Sequence, residues 1–391
     1  MTALPAADSL ALVRPDYGRA SLAELLPSVS AVLGVPGAAD ILRLGPHLDG
    51  VRRLAVLLVD GLGVVQLAAA THAATLADLG TGRLGHATVL TSAFPSTTPV
   101  SLVTIGAGVP PGAHGVLGFT VRVPGGGEVL NHIRWRDEPD PAAWQPVPTR
   151  FALAGAAGVA VTVVTRPEYA GSGLTVAAHA GGAFRGAADA DALATQMLAA
   201  LRDSAAPALV YGYHPDLDRA GHDHGLTSAP WWAAAARVDR LVTRLVDGLP
   251  PDAALLVTAD HGQLDVPADA RFDLDADPRL AAGVLAAAGE PRVRYLHVAP
   301  GAAPDVAAAW RTVLGDAAWV GSREEAIADG WFGPVPPAHS ERIGDVVVIC
   351  VERHVVLATA REPAAVARMV AFHGSATAAE MHIPLLIARR P

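Results

Sequence analysis

Short apolar segments that end at turn or polar residues recur along the chain and predict buried β-strands. They lie at 53–61, 158–165, 207–213, 253–262, 344–351 and 383–388. Because these segments are apolar throughout, they are typical of strands covered on both faces, as in a parallel sheet. Alanine- and leucine-rich patterns at 188–202 and 231–249 indicate helices between them. This alternation of strands and helices predicts an α/β fold.

One interval interrupts this alternation and predicts a smaller unit. Between 265 and 370, short apolar runs mix with helical patterns, so we expect an α+β cap inserted into the main domain. The predicted organisation is a helical N-terminal arm over 1–50, an α/β core over 51–264, the cap over 265–370 and a return to the core over 371–391.

Composition excludes several classes of function. The 391 residues carry a net charge of −9, which argues against a general binder of nucleic-acid polymers. All 29 basic residues are arginine, so mechanisms built on a lysine amine, such as a pyridoxal Schiff base, are excluded. The single cysteine, Cys350, allows neither a disulfide within the chain nor a cysteine-rich zinc site.

The chain also shows no pattern that would place it in or across a membrane. No apolar run reaches the roughly 18 residues that suggest a membrane span. The N-terminus lacks the basic start and long apolar block of a signal peptide. We therefore expect a cytoplasmic protein without a membrane partner.

Acids and histidines cluster just after the predicted strands. They are Asp60, Asp216, Asp218, His222, Asp260, His261 and, before the last strand, His373. In an open parallel sheet, functional groups collect beyond the carboxyl ends of the strands. A carboxylate buried there needs a metal, a cation or several N–H donors. Aspartate and histidine together are ligands for zinc, and two ions about 4 Å apart are the usual arrangement for cleaving phosphate esters.

Each motif taken alone has a simpler interpretation. Asp60-Gly61 and His373-Gly374 are also typical of turns. Asp218 and His222 are four residues apart, so one helical turn could place both on one ion, with Asp216 as the rival ligand. The order of all the motifs along the chain is more specific than any one of them.

That order resembles the nucleotide pyrophosphatase/phosphodiesterases of the alkaline phosphatase superfamily. The matching segments are VDGLG at 59–63, FPSTTPVSLVTIGAGVPPGAHG at 94–115, YHPDLDRAGH at 213–222, TADHG at 258–262 and FHG at 372–374. The resemblance covers most of the chain outside 1–50 and 265–370. It implies an alkaline-phosphatase-like sandwich, in which helices flank a central, mostly parallel sheet, together with the smaller α+β cap.

The resemblance also implies the roles of individual residues. Thr98 falls on the nucleophile, although Thr97 or Thr98 could instead be only the N-cap of a helix. One zinc ion would be held by Asp60, Asp260, His261 and Thr98, and the other by Asp218, His222 and His373. The family spacing thus favours Asp218 over Asp216. Manganese or iron would also fit some of these ligands.

Three further positions are implied to contact the substrate, and two of them depart from the family pattern. Ser101 stands where an asparagine usually donates to the phosphate, and Arg219 stands where small residues are common. Tyr213 falls where an aromatic residue flanks the organic group of the substrate. Pro99 replaces the aromatic residue that often follows the nucleophile. A cation such as Arg219 near the phosphate would favour a dianionic monoester.

The resulting hypothesis is a two-metal hydrolase that cleaves phosphodiester or nucleotide pyrophosphate bonds of small molecules through a phospho-threonine. A phosphomonoesterase or a phosphonate (C–P) hydrolase is the alternative with the same fold. A phosphoryl mutase or transferase is a further rival. An alternative of another class is a metal-stabilised binding protein without turnover.

Overall fold

Two larger β-sheets organise the chain in the computed structural model, which describes residues 9–125, 128–204 and 207–390. The strands in chain order are β1 (Arg53–Val59), β2 (Gly85–Thr91), β3 (Thr120–Arg122), β4 (Val129–Asn131), β5 (Ala160–Thr165), β6 (Ala183–Gly186), β7 (Ala208–His214), β8 (Ala253–Thr258), β9 (Leu264–Asp265), β10 (Arg271–Asp273), β11 (Val284–Glu290), β12 (Val293–Val298), β13 (Ala318–Ser322), β14 (Val346–Cys350), β15 (Val355–Leu357), β16 (Ala371–Phe372) and β17 (His382–Arg389).

Helices fill most of the remaining described chain. They are α1 (Leu25–Val32), α2 (Val64–Ala69), α3 (Ala74–Gly80), α4 (Thr98–Ala107), α5 (Pro111–His114), α6 (Pro141–Trp144), α7 (Arg150–Ala156), α8 (Gly173–His179), α9 (Ala190–Asp203), α10 (Asp216–His224), α11 (Ala229–Gly248), α12 (Pro278–Ala281), α13 (Ala303–Leu314), α14 (Arg323–Ala328), α15 (Pro337–Ser340), α16 (Ala364–Arg368) and α17 (Ala378–Met381). Short 3-10 turns lie at Leu22–Glu24, Gly45–His47, Pro167–Tyr169, Ala268–Ala270 and Gly315–Ala317.

The main sheet has the strand order β2-β17-β8-β1-β7-β5-β6. Strands β8, β1, β7, β5 and β6 run parallel to one another, and β1, β7 and β8 are almost entirely buried. The predicted α/β fold with a central, mostly parallel sheet is therefore confirmed. The last predicted strand differs, because β17 runs antiparallel to both β2 and β8. The chain enters β17 from the edge where the parallel strands end, so it can only run back along the sheet.

The second sheet is antiparallel and has the order β13-β14-β12-β11-β3-β4. The apolar run predicted at 344–351 forms β14 in this sheet. Strands β3 and β4 also join it, although they precede the predicted cap in the chain. The hairpin β3-β4 reaches this sheet by pairing with β11. The division into an N-terminal arm, a core and a cap at 265–370 stays a prediction.

The helices predicted at 188–202 and 231–249 are confirmed as α9 and α11. Helix α9 buries Leu193, Met197 and Leu201, which are spaced by four residues and share one face. The Asp189 side chain caps its start by accepting a hydrogen bond from a backbone N–H, and Ser228 does the same for α11. The two helices pack together, and α9 also packs on β5 and β7.

The described part of the predicted N-terminal arm packs into the main core. Leu22, Leu25 and Leu26 are fully buried, and the turn that contains Leu22 packs against α4. Within the described residues, no helix is both long and apolar enough to cross a bilayer.

Candidate metal and active site

The parallel strands bring three aspartates to one edge of the main sheet. Strand β1 lies between β8 and β7, with Leu58 paired to Thr258 and Val59 paired to His214. Asp60 follows β1 and Asp260 lies two residues beyond β8. Asp218 lies four residues beyond β7, in α10. Because these strands end at the same level, the three carboxyl groups enter one cleft.

The first group of side chains surrounds His261. Its Nε2 lies 3.5 Å from Asp60 Oδ1 and 3.4 Å from Asp260 Oδ2. Asp260 Oδ1 accepts hydrogen bonds from the backbone N–H groups of Gly61, at 3.1 Å, and of His261, at 3.0 Å. Asp60 Oδ1 and Asp260 Oδ2 are buried and have no hydrogen-bond partner among the described residues. Buried carboxylate oxygens without hydrogen-bond partners are suited to bind a cation.

The second group of side chains surrounds Asp218. His222 Nε2 lies 3.2 Å from Asp218 Oδ2, and His373 Nε2 lies 3.8 Å from Asp218 Oδ1. The ligand atoms of these three residues all lie within 4.8 Å of one another, as do those of Asp60, Asp218 and His261. The two groups therefore adjoin, with Asp218 close to both.

The three histidines share one orientation. In each, Nδ1 lies against a backbone carbonyl oxygen: His222 against Ala371 at 2.7 Å, His261 against Gly262 at 3.1 Å and His373 against Ser96 at 2.9 Å. Each Nδ1 can therefore hold the proton, which leaves Nε2 as a lone-pair donor facing the carboxylates. This arrangement is typical of histidines that bind metal ions. The donor set and its bare oxygens thus fit two divalent cations.

The electrostatics of the site favour a bound cation. Burial raises the pKa of Asp60 well above its usual range, and the carboxylates of Asp260 and Asp218 raise it further. Burial likewise raises the pKa of Asp260. Burial opposes ionisation of Asp218 too, but the adjacent His222 lowers the pKa of Asp218 below its usual value. Like charges this close need a cation between them.

Thr98, the predicted nucleophile, faces the first group. Its Oγ1 lies 3.4 Å from Asp60 Oδ2 and 3.2 Å from His261 Nε2. Thr98 is the first residue of α4, and Thr97 occupies the N-cap position without a side-chain capping bond. The alternative in which these hydroxyls serve only to cap the helix therefore has no hydrogen bond to support it.

The three residues predicted to contact substrate have different surroundings in the structure. The hydroxyl of Ser101 donates to the carbonyl of Asp260 at 2.9 Å, so it holds the loop that carries Asp260. Tyr213 donates its hydroxyl to Asp60 Oδ2 and lines the cavity beside Thr98. Arg219 is exposed on α10. Direct contact of Ser101, Tyr213 and Arg219 with substrate stays a prediction.

Asp216, the rival of Asp218, is held in an ion pair. It binds the guanidinium of Arg166, and its other oxygen lies 3.9 Å from His214 Nε2. This pairing turns Asp216 towards Arg166, while Asp218, two residues further along α10, stands beside His222 and His373.

A cavity of about 320 Å³ opens beside Thr98. Its lining residues are Thr98, Leu102, Ile133, Arg134, Trp135, Arg136, Thr165, Glu168, Tyr169, Ser172, Leu174, Thr175, His179 and Tyr213. Trp135 is buried and fixed by a 2.8 Å hydrogen bond from its indole N–H to the Pro139 carbonyl. Together with Ile133, Arg134 and Arg136, it forms one wall of the cavity.

Sequence reasoning missed two polar side chains, one that contacts a proposed metal ligand and one that packs against the glycine after His373. Gln263 donates from Nε2 to Asp218 Oδ1. Glu290 reaches in from the second sheet and lies so close to Gly374 that a Cβ there would be 2.7 Å from the Glu290 carboxyl carbon. Burial raises the pKa of Glu290 to about 8. Neither residue belongs to a motif, although Gln263 follows Asp260-His261-Gly262 directly.

Comparison with known protein families identifies the chain. Residues 54–376 match the family model described as type I phosphodiesterase / nucleotide pyrophosphatase. The chain belongs to this family. The type I phosphodiesterases are metal-dependent hydrolases that act on phosphate esters, so the chain is an enzyme of this class. A comparison with curated proteins gives no sequence match.

Solved structures share the fold of this type I phosphodiesterase at low sequence identity. Murine ectonucleotide pyrophosphatase / phosphodiesterase 5 has a TM-score of 0.68 at 18% identity, with 86% of this chain and 88% of that chain covered. An inactive variant of the murine protein in complex with AMP gives 0.69 at 18%, over the same shares. Phosphonoacetate hydrolase from Sinorhizobium meliloti 1021, in complex with phosphonoacetate, gives 0.67 at 22% identity, covering 87% and 91%.

Proposed function

We propose that this type I phosphodiesterase is a two-metal hydrolase that cleaves small-molecule phosphodiesters with Thr98 as its nucleophile. The observation that carries the proposal is the position of the Thr98 hydroxyl. It lies 3.4 Å from Asp60 and 3.2 Å from His261, at the end of a cavity that can hold a substrate. The two side chains that the hydroxyl contacts, Asp60 and His261, are thus proposed ligands of the first ion.

Two groups of residues would hold the metal ions. Asp60, Asp260 and His261, together with the Thr98 hydroxyl, would bind one ion. The remaining ligands are Asp218, His222 and His373, which would bind the other. The mixed oxygen and nitrogen donors favour zinc, and manganese or iron also fit. When bound, these ions would supply Lewis acidity that lowers the pKa of the threonine hydroxyl and neutralises charge on the phosphoryl group.

With Thr98 as nucleophile, the reaction proceeds in two displacements at phosphorus. Thr98 Oγ1 attacks phosphorus, and the bond to the leaving group breaks on the opposite side of the phosphorus atom. A phospho-threonine forms, which keeps the second ester substituent when the substrate is a diester. Water attacks this intermediate, and the bond between phosphorus and Thr98 breaks. Tyr213 holds Asp60 in place throughout, through its hydrogen bond to Oδ2.

The cavity favours diesters over monoesters. A diester carries an organic substituent that stays on phosphorus during the first displacement, and the wall beside Thr98 offers Leu102, Trp135, Leu174 and Tyr213 to such a group. Apolar and aromatic walls with few polar groups are typical of sites for organic ligands. A nucleotide pyrophosphate presents the same kind of retained group, so it remains within the proposed substrate class.

A phosphonate hydrolase is the second candidate function. Arg134 and Arg136 are exposed and line the cavity. Guanidinium groups bind carboxylates in bidentate geometry, so this rim would accept a substrate with an acidic substituent. The fold is shared with a hydrolase solved with phosphonoacetate, which carries such a group.

Replacement of Thr98 by alanine tests the proposal. With excess zinc present, we expect kcat on bis(p-nitrophenyl) phosphate to fall by at least about 1,000-fold. The neighbouring Thr97→Ala is the matched control, because Thr97 lacks a capping bond and should keep its activity. Mass spectrometry of wild-type protein acid-quenched during turnover of bis(p-nitrophenyl) phosphate should find a p-nitrophenyl phosphoryl group on Thr98. Undiminished turnover by Thr98→Ala would refute the assignment.

A panel of substrates separates the two candidate functions. The diesterase proposal predicts higher kcat/KM for bis(p-nitrophenyl) phosphate than for p-nitrophenyl phosphate, and little phosphate release from phosphonoacetate. A higher kcat/KM for phosphonoacetate than for bis(p-nitrophenyl) phosphate would favour the C–P hydrolase. Cytoplasmic location stays a prediction from the sequence.

A further inference from the structure

Four hydrogen bonds join Ser96, two residues before Thr98, to the segment 373–375. The Ser96 N–H donates to the Gly374 carbonyl at 2.9 Å, and the Gly374 N–H donates to Ser96 Oγ at 3.2 Å. Ser96 Oγ in turn donates to the Ser375 carbonyl at 2.5 Å. The fourth bond runs from His373 Nδ1 to the Ser96 carbonyl at 2.9 Å. Ser96 thus bonds three successive residues that lie 277 to 279 positions further along the chain.

Burial and backbone conformation keep this link in one arrangement. Ser96 is 0% exposed, so water does not compete for its N–H, carbonyl or hydroxyl. Gly374 has a φ of 129°, a backbone conformation that favours glycine. The close packing of Glu290 on Gly374 leaves no room for a Cβ at this position. The hydrogen bonds of Ser96 and the packing of Glu290 therefore both fix the peptide that follows His373.

The link to Ser96 also orients the ring of His373. One ring face of His373 stacks on His261, with centroids 3.6 Å apart and 13° between the planes, while Nδ1 is held by the Ser96 carbonyl. His373 Nε2 is left facing Asp218. His222 and His261 use other carbonyls for Nδ1, so Ser96 serves only His373 among the three histidines. Outer partners of this kind set the tautomer and direction of a metal-binding imidazole.

We propose that Ser96 is a positioning residue that sets the second metal ion at a fixed place relative to the nucleophile. Thr98, two residues further on, faces the first group of ligands, whereas His373 belongs to the second group. Ser96 supplies no ligand atom, but through His373 it determines how tightly the second ion is held. The inference rests on the proposed two-metal function and adds to it the residue that joins the two halves of the site.

Zinc affinities of single and paired variants test the inference. Ser96→Ala removes the two hydrogen bonds of Oγ and keeps the two backbone bonds. We expect it to weaken one of the two zinc ions by about tenfold and to leave the affinity for the other within about twofold, as measured by competition with a chelator. In His222→Ala, which should already lack the second ion, adding Ser96→Ala should not change the affinity for the remaining ion.

Ser101→Ala is the matched control. Ser101 is another fully buried serine of the same segment, but its hydroxyl donates to the carbonyl of Asp260, a proposed ligand of the first ion. Because it acts on the first group, Ser101→Ala should weaken the ion that remains in His222→Ala. The two serine variants are thus expected to differ in that background.

Amide hydrogen exchange gives a second test in chains that keep Ser96, so it does not depend on the folding of Ser96→Ala. Excess zinc should slow exchange of the Ser96 and Gly374 N–H groups in the wild type, because the second ion tightens the segment that they join. The same zinc should slow these two groups at least about tenfold less in His222→Ala, which should bind only the first ion.

Three results would overturn the inference and leave the proposed function intact. Equal weakening of both ions by Ser96→Ala, or a loss that persists in His222→Ala, would show that Ser96 only supports the fold. Unchanged zinc affinities would show that the hydroxyl does not act on the metal site. Exchange rates at Ser96 and Gly374 that ignore the second ion would exclude the coupling. Wild-type protein that binds fewer than two zinc ions would instead refute the proposed metal sites, and the inference would fall with them.

Discussion

Replacement of Asp60 by asparagine should stabilise the metal-free protein, although it removes a proposed metal ligand. The ligand atoms of Asp60, Asp218 and His261 lie within 4.8 Å of one another. At that separation, and with an effective dielectric constant of about 20, two like charges repel by about 3 kcal/mol. Asparagine has the same shape without the charge, and its Oδ1 can still accept the hydrogen bond from Tyr213.

The pH dependence gives the sign of this effect. The pKa of Asp60 is raised in the folded protein, first by burial and then by Asp260 and Asp218. Stability tied to its protonated form is therefore present below about pH 4 and is lost as the pH rises through the folded-state pKa. Wild type and Asp60→Asn should melt together near pH 4, and the variant should be the more stable at pH 8.

Thermal unfolding in the presence of a chelator measures the difference. For 391 residues the unfolding entropy is roughly 0.8 kcal/mol/K, so about 3 kcal/mol raises Tm by about 4 °C. Excess zinc should reverse the order, because only the wild type keeps the full ligand set. Asp216→Asn is the matched control. It breaks an ion pair with Arg166 and should lower Tm with or without zinc.

A lower Tm for metal-free Asp60→Asn at pH 8 would refute the account of repelling carboxylates. A gain in Tm that does not change between pH 4 and pH 8 would refute it equally, because the repulsion requires ionised groups.

Three further predictions follow from single contacts. Tyr213→Phe removes the hydroxyl that donates to Asp60 and should lower kcat/KM on bis(p-nitrophenyl) phosphate by about tenfold; a change below twofold would show that the bond does not matter. His222→Ala should reduce bound zinc from about two to about one per chain by elemental analysis, and two retained ions would remove His222 from the ligand set. Arg292→Met strands the buried carboxylate of Glu380, which accepts from Nε and Nη2 at 3.0 and 2.7 Å. It should cost about 3–5 kcal/mol in urea unfolding, and a loss below 1 kcal/mol would contradict the importance of this pair.

Much of the site was predictable because it depends on local patterns. An apolar strand followed by an acid can be read along the chain, and parallel strands necessarily end at one edge of a sheet. The positions of Asp60 and Asp260 follow from that rule. The spacing of Asp218 and His222 likewise follows from one turn of helix, and α10 provides that turn.

Other features have no local signal. The direction of β17 depends on the edge from which the chain enters the sheet, and the hairpin β3-β4 joins the second sheet because an edge there is free. Whether the hydroxyl of Ser101 faces the cleft or the Asp260 carbonyl depends on a contact across 159 residues of chain. Glu290 and His179 sit in no motif at all.

The chain by itself thus determined the kinds of chemical group, their order and the edge of the sheet where they meet, because hydrophobic periodicity and residue chemistry are properties of short segments. Only the tertiary structure decided which of these groups touch Thr98, which side chains line the cavity beside it, and how Glu290 of the second sheet comes to lie against Gly374. Such contacts join segments that lie far apart in the chain, and they depend on side-chain directions that no periodic pattern records.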